Sequence, residues 1–481
     1  MLFCLSFFNE HIRSVQELSP DEISASNHIK PTYEMLDWFL RKDHWLNSLL
    51  GLIISFTLIA CSTQPQSDYD QFGGYTDIQR EATGWFRVEK VGDRWMFITP
   101  EGHGYIALGA NHTGRYLNER EQSAGLYERV GDDRQQAEEA MYQAYLESGL
   151  NAGEAYAPLN PYLKNRLPYI VHLNNPGSKF EFDIFDDSVQ TAFRQHLVPQ
   201  CQQVASDSFA LGIAFVDLPV WNTRRMEFFR SLPANAPGKQ AYQKFLTDQY
   251  PSIQKLNKNY STSFNSFEDL LESTEWSVDS KLPAVQQDDE RFMGQIAEKL
   301  YPLLRDIVRE GAPNHLFLGE RYVLRMVPEP VLQSLAKYVD VFCTQALILS
   351  PQRPPEWQVF QQPGYDSAFA TVKKPIIVVD WATPFSLDET YENDRGTIKA
   401  ENEAAEDVAR WVKDALNQPY IVGIFKCQFI GTHGNDRWFP KGRMKRTLWQ
   451  DDGTPFPVMT ERVSRAHREA LNEVYQSIEH Q

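Results

Sequence analysis

The stretch GIAFVDLPVWN, residues 212–222, decides the fold. Ile213 to Val216 are apolar without alternation, as a strand buried on both faces of a parallel sheet must be. Asp217 ends the run, and Pro219 forbids its continuation because proline has no N–H to give to a ladder. A second run, IIVV at 376–379, has the same character and also stops on a carboxylate, Asp380, followed by Trp381. Buried strands that deliver acids at their C-terminal ends point to a parallel α/β protein with its site at those ends.

Working outward, the same punctuation recurs. RWMFITPEGHGYIALGAN (94–111) reads as a strand, a Pro-Glu-Gly turn and a second strand. Further strands are expected in NAGEAY (151–156), LPYIVHLNN (167–175), HLFLGERY (315–322), YVDVFCTQAL (338–347), KPIIVVDWA (374–382) and YIVGIFKCQF (420–429). Helices are expected at 132–150, 185–206, 289–310, 329–337, 398–417 and 459–477. About eight core strands, each followed by a helix or long loop, fit an α/β chain of the (β/α)8 TIM-barrel class. No Gly-x-Gly-x-x-Gly turn follows the first strand, which argues against a nucleotide-binding sheet. The long interval 223–288, with helical signals of its own, reads as an insertion after the fourth strand, on the catalytic face.

Composition narrows the function. The 481 residues are 42% hydrophobic and 23% charged, a globular profile. A formal net charge of −17 argues against a nucleic-acid partner, since phosphates need a basic face. Aromatics make up 13%, which suits a large core and also the stacking of sugar rings. The five cysteines are scattered and form no disulfide framework, and no metal-ligand spacing or cofactor motif stands out. Gly-x-Ser-x-Gly is absent as well.

The N-terminus carries one more signal. A basic pair, an apolar run over Leu46–Ala60 and the sequence LIAC before a polar tail describe a bacterial signal peptide at 35–60. The apolar run is shorter than the ~20 residues that a membrane span needs. LIAC resembles a lipobox, which makes Cys61 the lipidated first residue of the mature chain. Residues 1–34 then read as an over-extended start, 61–80 as a tether and 81–481 as the barrel domain. The expected location is the bacterial cell envelope, with a membrane anchor through Cys61.

Polar residues that end apolar runs are the site candidates. They are Asn111, His112, Glu154, Asn174, Asn175, Asp217, Glu320, Arg321, Gln345, Asp380, Trp381, Lys426 and Gln428, with Trp221 nearby. Four carboxylates on one rim suit glycoside hydrolysis, in which one acid protonates the leaving oxygen and the other attacks or activates water. Each also has a structural reading, as a loop-amide acceptor or half of an ion pair. The basic run KGRMKR (441–446) is a solvated loop or a contact for an anionic sugar.

With these stretches in place, the chain resembles the β-agarases of glycoside hydrolase family 50 and related retaining barrel glycosidases. The resemblance runs from about Trp85 to Tyr475 and rests on the order and spacing of WMFITPEGHGYIALGAN, PYIVHLNN, LGIAFVDLPVWN, LFLGERY, YVDVFCTQ and KPIIVVDW. DQYPSIQKLNKNYSTSFNSFEDLL is similar to a segment shared with barrel β-galactosidases. The resemblance implies an acid/base Glu at the place held by Pro219 and a nucleophilic Glu at the place held by Asp380. A residue that is not usually acidic is matched by Glu320, and the family's Trp-Phe pair by Lys426 and Cys427.

Two functions follow. One is a rewired glycosidase acting on a galactan such as agar, porphyran or carrageenan oligosaccharides, sulfated or not. There Asp380 is nucleophile or base, and Glu320 or Asp217 is the proton donor. The other is a catalytically inactive glycan-binding lipoprotein. A purely structural envelope protein has no need of such a rim.

Overall fold

The computed structural model describes residues 68–121, 123–156, 163–174, 181–215, 221–346, 359–393, 396–431 and 444–479. The signal peptide, Cys61, Asn175 and Asp217 therefore lie outside the described residues. Among those that are described, no helix is long and apolar enough to cross a membrane.

The chain begins with an antiparallel sheet. Strands β1 (Tyr75–Gln79), β2 (Arg87–Val91), β3 (Arg94–Ile98) and β4 (His103–Tyr105) pair in the order β1-β4-β3-β2. Part of the 61–80 stretch expected as a tether is thus folded. Phe72 and Ile78 are buried, and Asp70 accepts backbone N–H groups from Phe72 and Gly74 at 2.9 and 2.7 Å. The expected strand–turn–strand at 94–111 resolves into three strands, β3, β4 and β5 (Ala107–Ala110). Asn151 explains the switch after Tyr105: its side chain donates to the Ile106 carbonyl at 3.0 Å and accepts from the Leu108 N–H at 2.7 Å. It satisfies the backbone where the chain passes from one sheet to the next.

The remaining strands are parallel. They are β5, β6 (Gly153–Tyr156), β7 (Tyr169–Leu173), β8 (Ala210–Phe215), β9 (Leu316–Glu320), β10 (Phe342–Gln345), β11 (Ile376–Trp381) and, past the two- and three-residue strands β12 (Phe385–Ser386), β13 (Tyr391–Asn393) and β14 (Gly396–Ile398), β15 (Ile421–Lys426). A last short strand, β16 (Met444–Lys445), pairs with β12. Two four-stranded parallel sheets result, β6-β7-β8-β9 and β10-β11-β15-β5. Parallel bridges join their edges on both sides, Gly109 to Ala152 and Tyr322 to Thr344. Every residue of β7, β8, β9 and β15 is buried, which is why their sequences lack alternation.

Helices at Arg134–Glu147, Asp187–Gln202, Pro283–Gly311, Glu329–Leu335, Gln362–Val372, Glu401–Leu416 and Pro457–Glu479 fall between or after these strands. The interval expected as an insertion holds four helices, Thr223–Ser231, Pro237–Gln249, Ile253–Tyr260 and Phe267–Glu272. Its expected end at 288 falls inside the 29-residue helix that starts at Pro283, where proline is suited to a first turn.

The antiparallel sheet seats on the starts of the parallel strands. Arg94 donates to the carbonyl of Ile421 at 3.1 Å, Phe72 packs on Phe209 at 4.6 Å and Trp85 on His315 at 5.1 Å. Those partners begin or immediately precede β15, β8 and β9. The opposite, C-terminal ends are left for the site.

Candidate active site

Four of the parallel strand ends bring charged groups together. Asp380, in β11, has φ of 57°, in the left-handed region a non-glycine residue rarely adopts. His112, just after β5, has φ of 66°, and Gln428, just after β15, has φ of 46°. Three non-glycine residues with positive φ thus stand at the ends of adjacent strands β11, β15 and β5.

Asp380 is held from several sides. Asn111 Nδ2 donates to its Oδ1 at 2.7 Å, His112 Nε2 lies 3.7 Å from the same oxygen, and an Arg321 Nη2 donates to Oδ2. Burial alone would raise the Asp380 pKa, but Arg321, His112 and Asn111 outweigh it and bring it down to about 2. The carboxylate is therefore ionised at any working pH.

Arg321 reaches a second acid. Its Nη1 lies 3.3 Å from Glu154 Oε1, and the His112 backbone N–H donates to Glu154 Oε2 at 3.1 Å. His172 Nε2 is 3.4 Å from Glu154 Oε1. Burial lowers the His172 pKa to about 4, so this ring is neutral. One guanidinium forks between two carboxylates from different strands, a role that its planar geometry allows and an ammonium does not.

Glu320 is placed differently from Arg321, its neighbour. It is fully buried, and among the described residues neither carboxyl oxygen has a hydrogen-bond partner. Burial pushes its pKa well above the ordinary value, against the opposing charge of Arg225. Its electrostatic neighbours Arg225 and Tyr301 are on the helices Thr223–Ser231 and Pro283–Gly311, whereas Arg321 turns to strand residues. Successive strand residues point to opposite faces, so Glu320 faces the helices and not Asp380.

The other candidates divide. Lys426 is buried, donates to the Arg446 carbonyl at 2.6 Å and lies 4.9 Å above the Trp381 ring. Burial brings its pKa down to about 7. Trp381 is buried against Trp411, with ring centroids 5.0 Å apart, and Trp221 is buried under Arg225. Both tryptophans among the site candidates are thus packed in the interior. Asn174 is exposed, while Gln345 and Gln428 are half-buried. Gln428 accepts from Arg446, so the last residue of KGRMKR is folded inward.

His172 was missed from sequence because it lies inside an apolar run and does not end it. Cys427 was also missed as a neighbour of the acid. His112, Asp380 and Cys427 present ligand atoms within 4.8 Å of one another, although the first and last lie 315 positions apart in sequence.

Comparison with known proteins agrees with this architecture. The Glyco_hydro_42 family model, described as beta-galactosidase, matches residues 233–382 and ends just past Asp380. Beta-agarase B of Vibrio sp. (strain JT0107) is 20% identical over 467 residues, covering 79% of this chain and 47% of that protein. The chain thus spans about half the length of this curated relative. Among solved structures, PfGH50B superposes with a TM-score of 0.68 at 17% identity, over 90% of this chain and 73% of that one. An exo-beta-agarase gives 0.67 at 16% identity, over 90% and 72%. At these identities the likeness is one of fold. The chain is similar across residues 233–382 to the beta-galactosidase family model, and similar in fold to solved agarases of the family 50 type.

Proposed function

We propose that the two parallel sheets form one (β/α)8 barrel and that the protein hydrolyses glycosidic bonds in a galactan-type oligosaccharide or polysaccharide. The edge bridges at Gly109–Ala152 and Tyr322–Thr344 support the barrel, and the agarase relatives support the substrate class. The observation that carries the reading is Asp380, an acid kept ionised at a strand end by Arg321 and Asn111. An ionised carboxylate is what a nucleophile or general base must be. Burial pushes the Glu320 pKa well above the ordinary value, the direction a donor needs, but this side chain faces the helices. The donor role therefore falls to Asp217, two residues past β8. We further propose that Cys61 anchors the mature chain by lipid in the cell envelope.

The test is incubation with agarose, porphyran and carrageenan oligosaccharides, assayed for new reducing ends. Asp380→Asn and Asp217→Asn are each expected to lose about 10²–10⁴-fold in kcat, and Glu320→Gln to keep most of it. Undiminished turnover by Asp380→Asn would overturn the assignment. The second reading, a barrel that binds glycan without turnover, is favoured by one observation: Asp380 is engaged in an ion pair with Arg321, which also pairs with Glu154. Tight binding with no product from any of the three sugars would establish it. Radiolabelled palmitate on the wild type and not on Cys61→Ser checks the anchor.

A further inference from the structure

We propose that His112, Asp380 and Cys427 form a binding site for a thiophilic divalent cation of the zinc class at the mouth of the strand ends. The three residues follow or end β5, β11 and β15, which are neighbours in one sheet, so a single layer of the fold brings them together. Their ligand atoms lie within 4.8 Å of one another, and all three side chains are partly open to solvent. Zinc bonds of about 2.0–2.3 Å hold tetrahedral ligands roughly 3.3–3.8 Å apart, so the cluster needs side-chain shifts of only about 1 Å.

The donor set is chemically selective. Imidazole, carboxylate and thiolate together suit zinc, cadmium or cobalt(II), whereas calcium and magnesium prefer all-oxygen sets. Three protein ligands leave a fourth position open to water or an added ligand, the arrangement of an accessible zinc centre and not of a closed structural one. The surroundings orient the ligands. Arg321 occupies Asp380 Oδ2, leaving Oδ1 on the side of His112, and Asn111 fixes that oxygen at 2.7 Å. The Cys427 backbone N–H donates to the Trp381 carbonyl at 2.8 Å, tying the thiol's residue to the strand that carries Asp380. Binding requires the thiol to lose its proton to solvent as the sulfur–metal bond forms.

A cation there would cap Asp380. On the hydrolase reading it switches turnover off, and that consequence alone rests on the reading. Metal binding itself does not.

The test uses the folded chain and cobalt(II) as a spectroscopic probe. One equivalent is expected to give a thiolate-to-cobalt charge-transfer band, displaced by zinc and unaffected by excess magnesium or calcium. Cys427→Ser should abolish the band, and His112→Gln should weaken zinc binding by at least ~10–100-fold. Cys201→Ser should leave both unchanged, since that thiol is buried on the helix Asp187–Gln202, away from the strand ends. Circular dichroism of each variant confirms that it is folded; should Cys427→Ser fail that check, His112→Gln carries the same comparison. Absence of the band in wild type, or its persistence in Cys427→Ser, overturns the site. Zinc inhibition of sugar release in wild type and not in Cys427→Ser tests the capping separately. A band without inhibition leaves the metal site standing and removes only the capping of Asp380.

Discussion

Arg321 is the residue on which the site's charge balance turns. Asp380 has an ordinary pKa of 3.8 and is held down to about 2 in the folded chain. A depressed acid contributes stability above its unfolded pKa, and loses it as pH falls through the folded one. That contribution is thus present above about pH 4 and gone near pH 2. Arg321→Lys keeps a positive charge but cannot fork to Glu154 and Asp380 at once. Its expected effect is a rise in the Asp380 pKa, which moves the acid limb of the kcat/KM profile to higher pH. The folded state should also lose about 1–3 kcal/mol in urea titration at pH 7, because one buried carboxylate is left under-satisfied. An unmoved acid limb would mean that Asp380 is not the group whose ionisation limits activity.

At the scale of elements, close packing between neighbouring strands sets which substitutions the sheets tolerate. Gly109 in β5 faces the ring of Phe425 in β15, and a Cβ there would come within 2.3 Å of ring carbon. Its own strand also carries the bridge to Ala152. Gly109→Ala is expected to push β5 and β15 apart and cost about 1–3 kcal/mol, read as a lower urea midpoint with an unchanged slope. Because β5 and β15 lead directly to His112 and Cys427, the same variant should also weaken cobalt binding. The strands themselves are legible because the described residues of β8, Ala210–Phe215, and the run IIVV are buried on both faces. The antiparallel sheet was not separated from the first parallel strand, since nothing local in HGYIALGA announces that its two halves pair in opposite senses. That depends on Asn151, far along the chain. The same limit applies to Glu320 and Arg321. Sequence places both at a strand end, and only the pleat decides that one faces helices and the other the acids.

For the whole molecule, the proposed hydrolysis implies that net charge selects among substrates. The chain carries 64 acidic against 47 basic residues, a net charge of −17, which repels an anionic polysaccharide at long range. The one basic run with a claim to offset this, KGRMKR, has Arg446 buried and bound to Gln428. Neutral galactan oligosaccharides are therefore expected to be better substrates than sulfated ones of equal length. Salt separates the cause. Raising ionic strength from about 10 mM to about 1 M shortens the screening length from ~30 Å to ~3 Å. Over that range kcat/KM on sulfated chains should climb several-fold towards the neutral value, while the neutral value stays flat. A fall with salt on sulfated chains would mean that a local basic contact governs recognition, and neutralising Lys441 and Arg443 should then abolish the salt dependence for sulfated sugars alone.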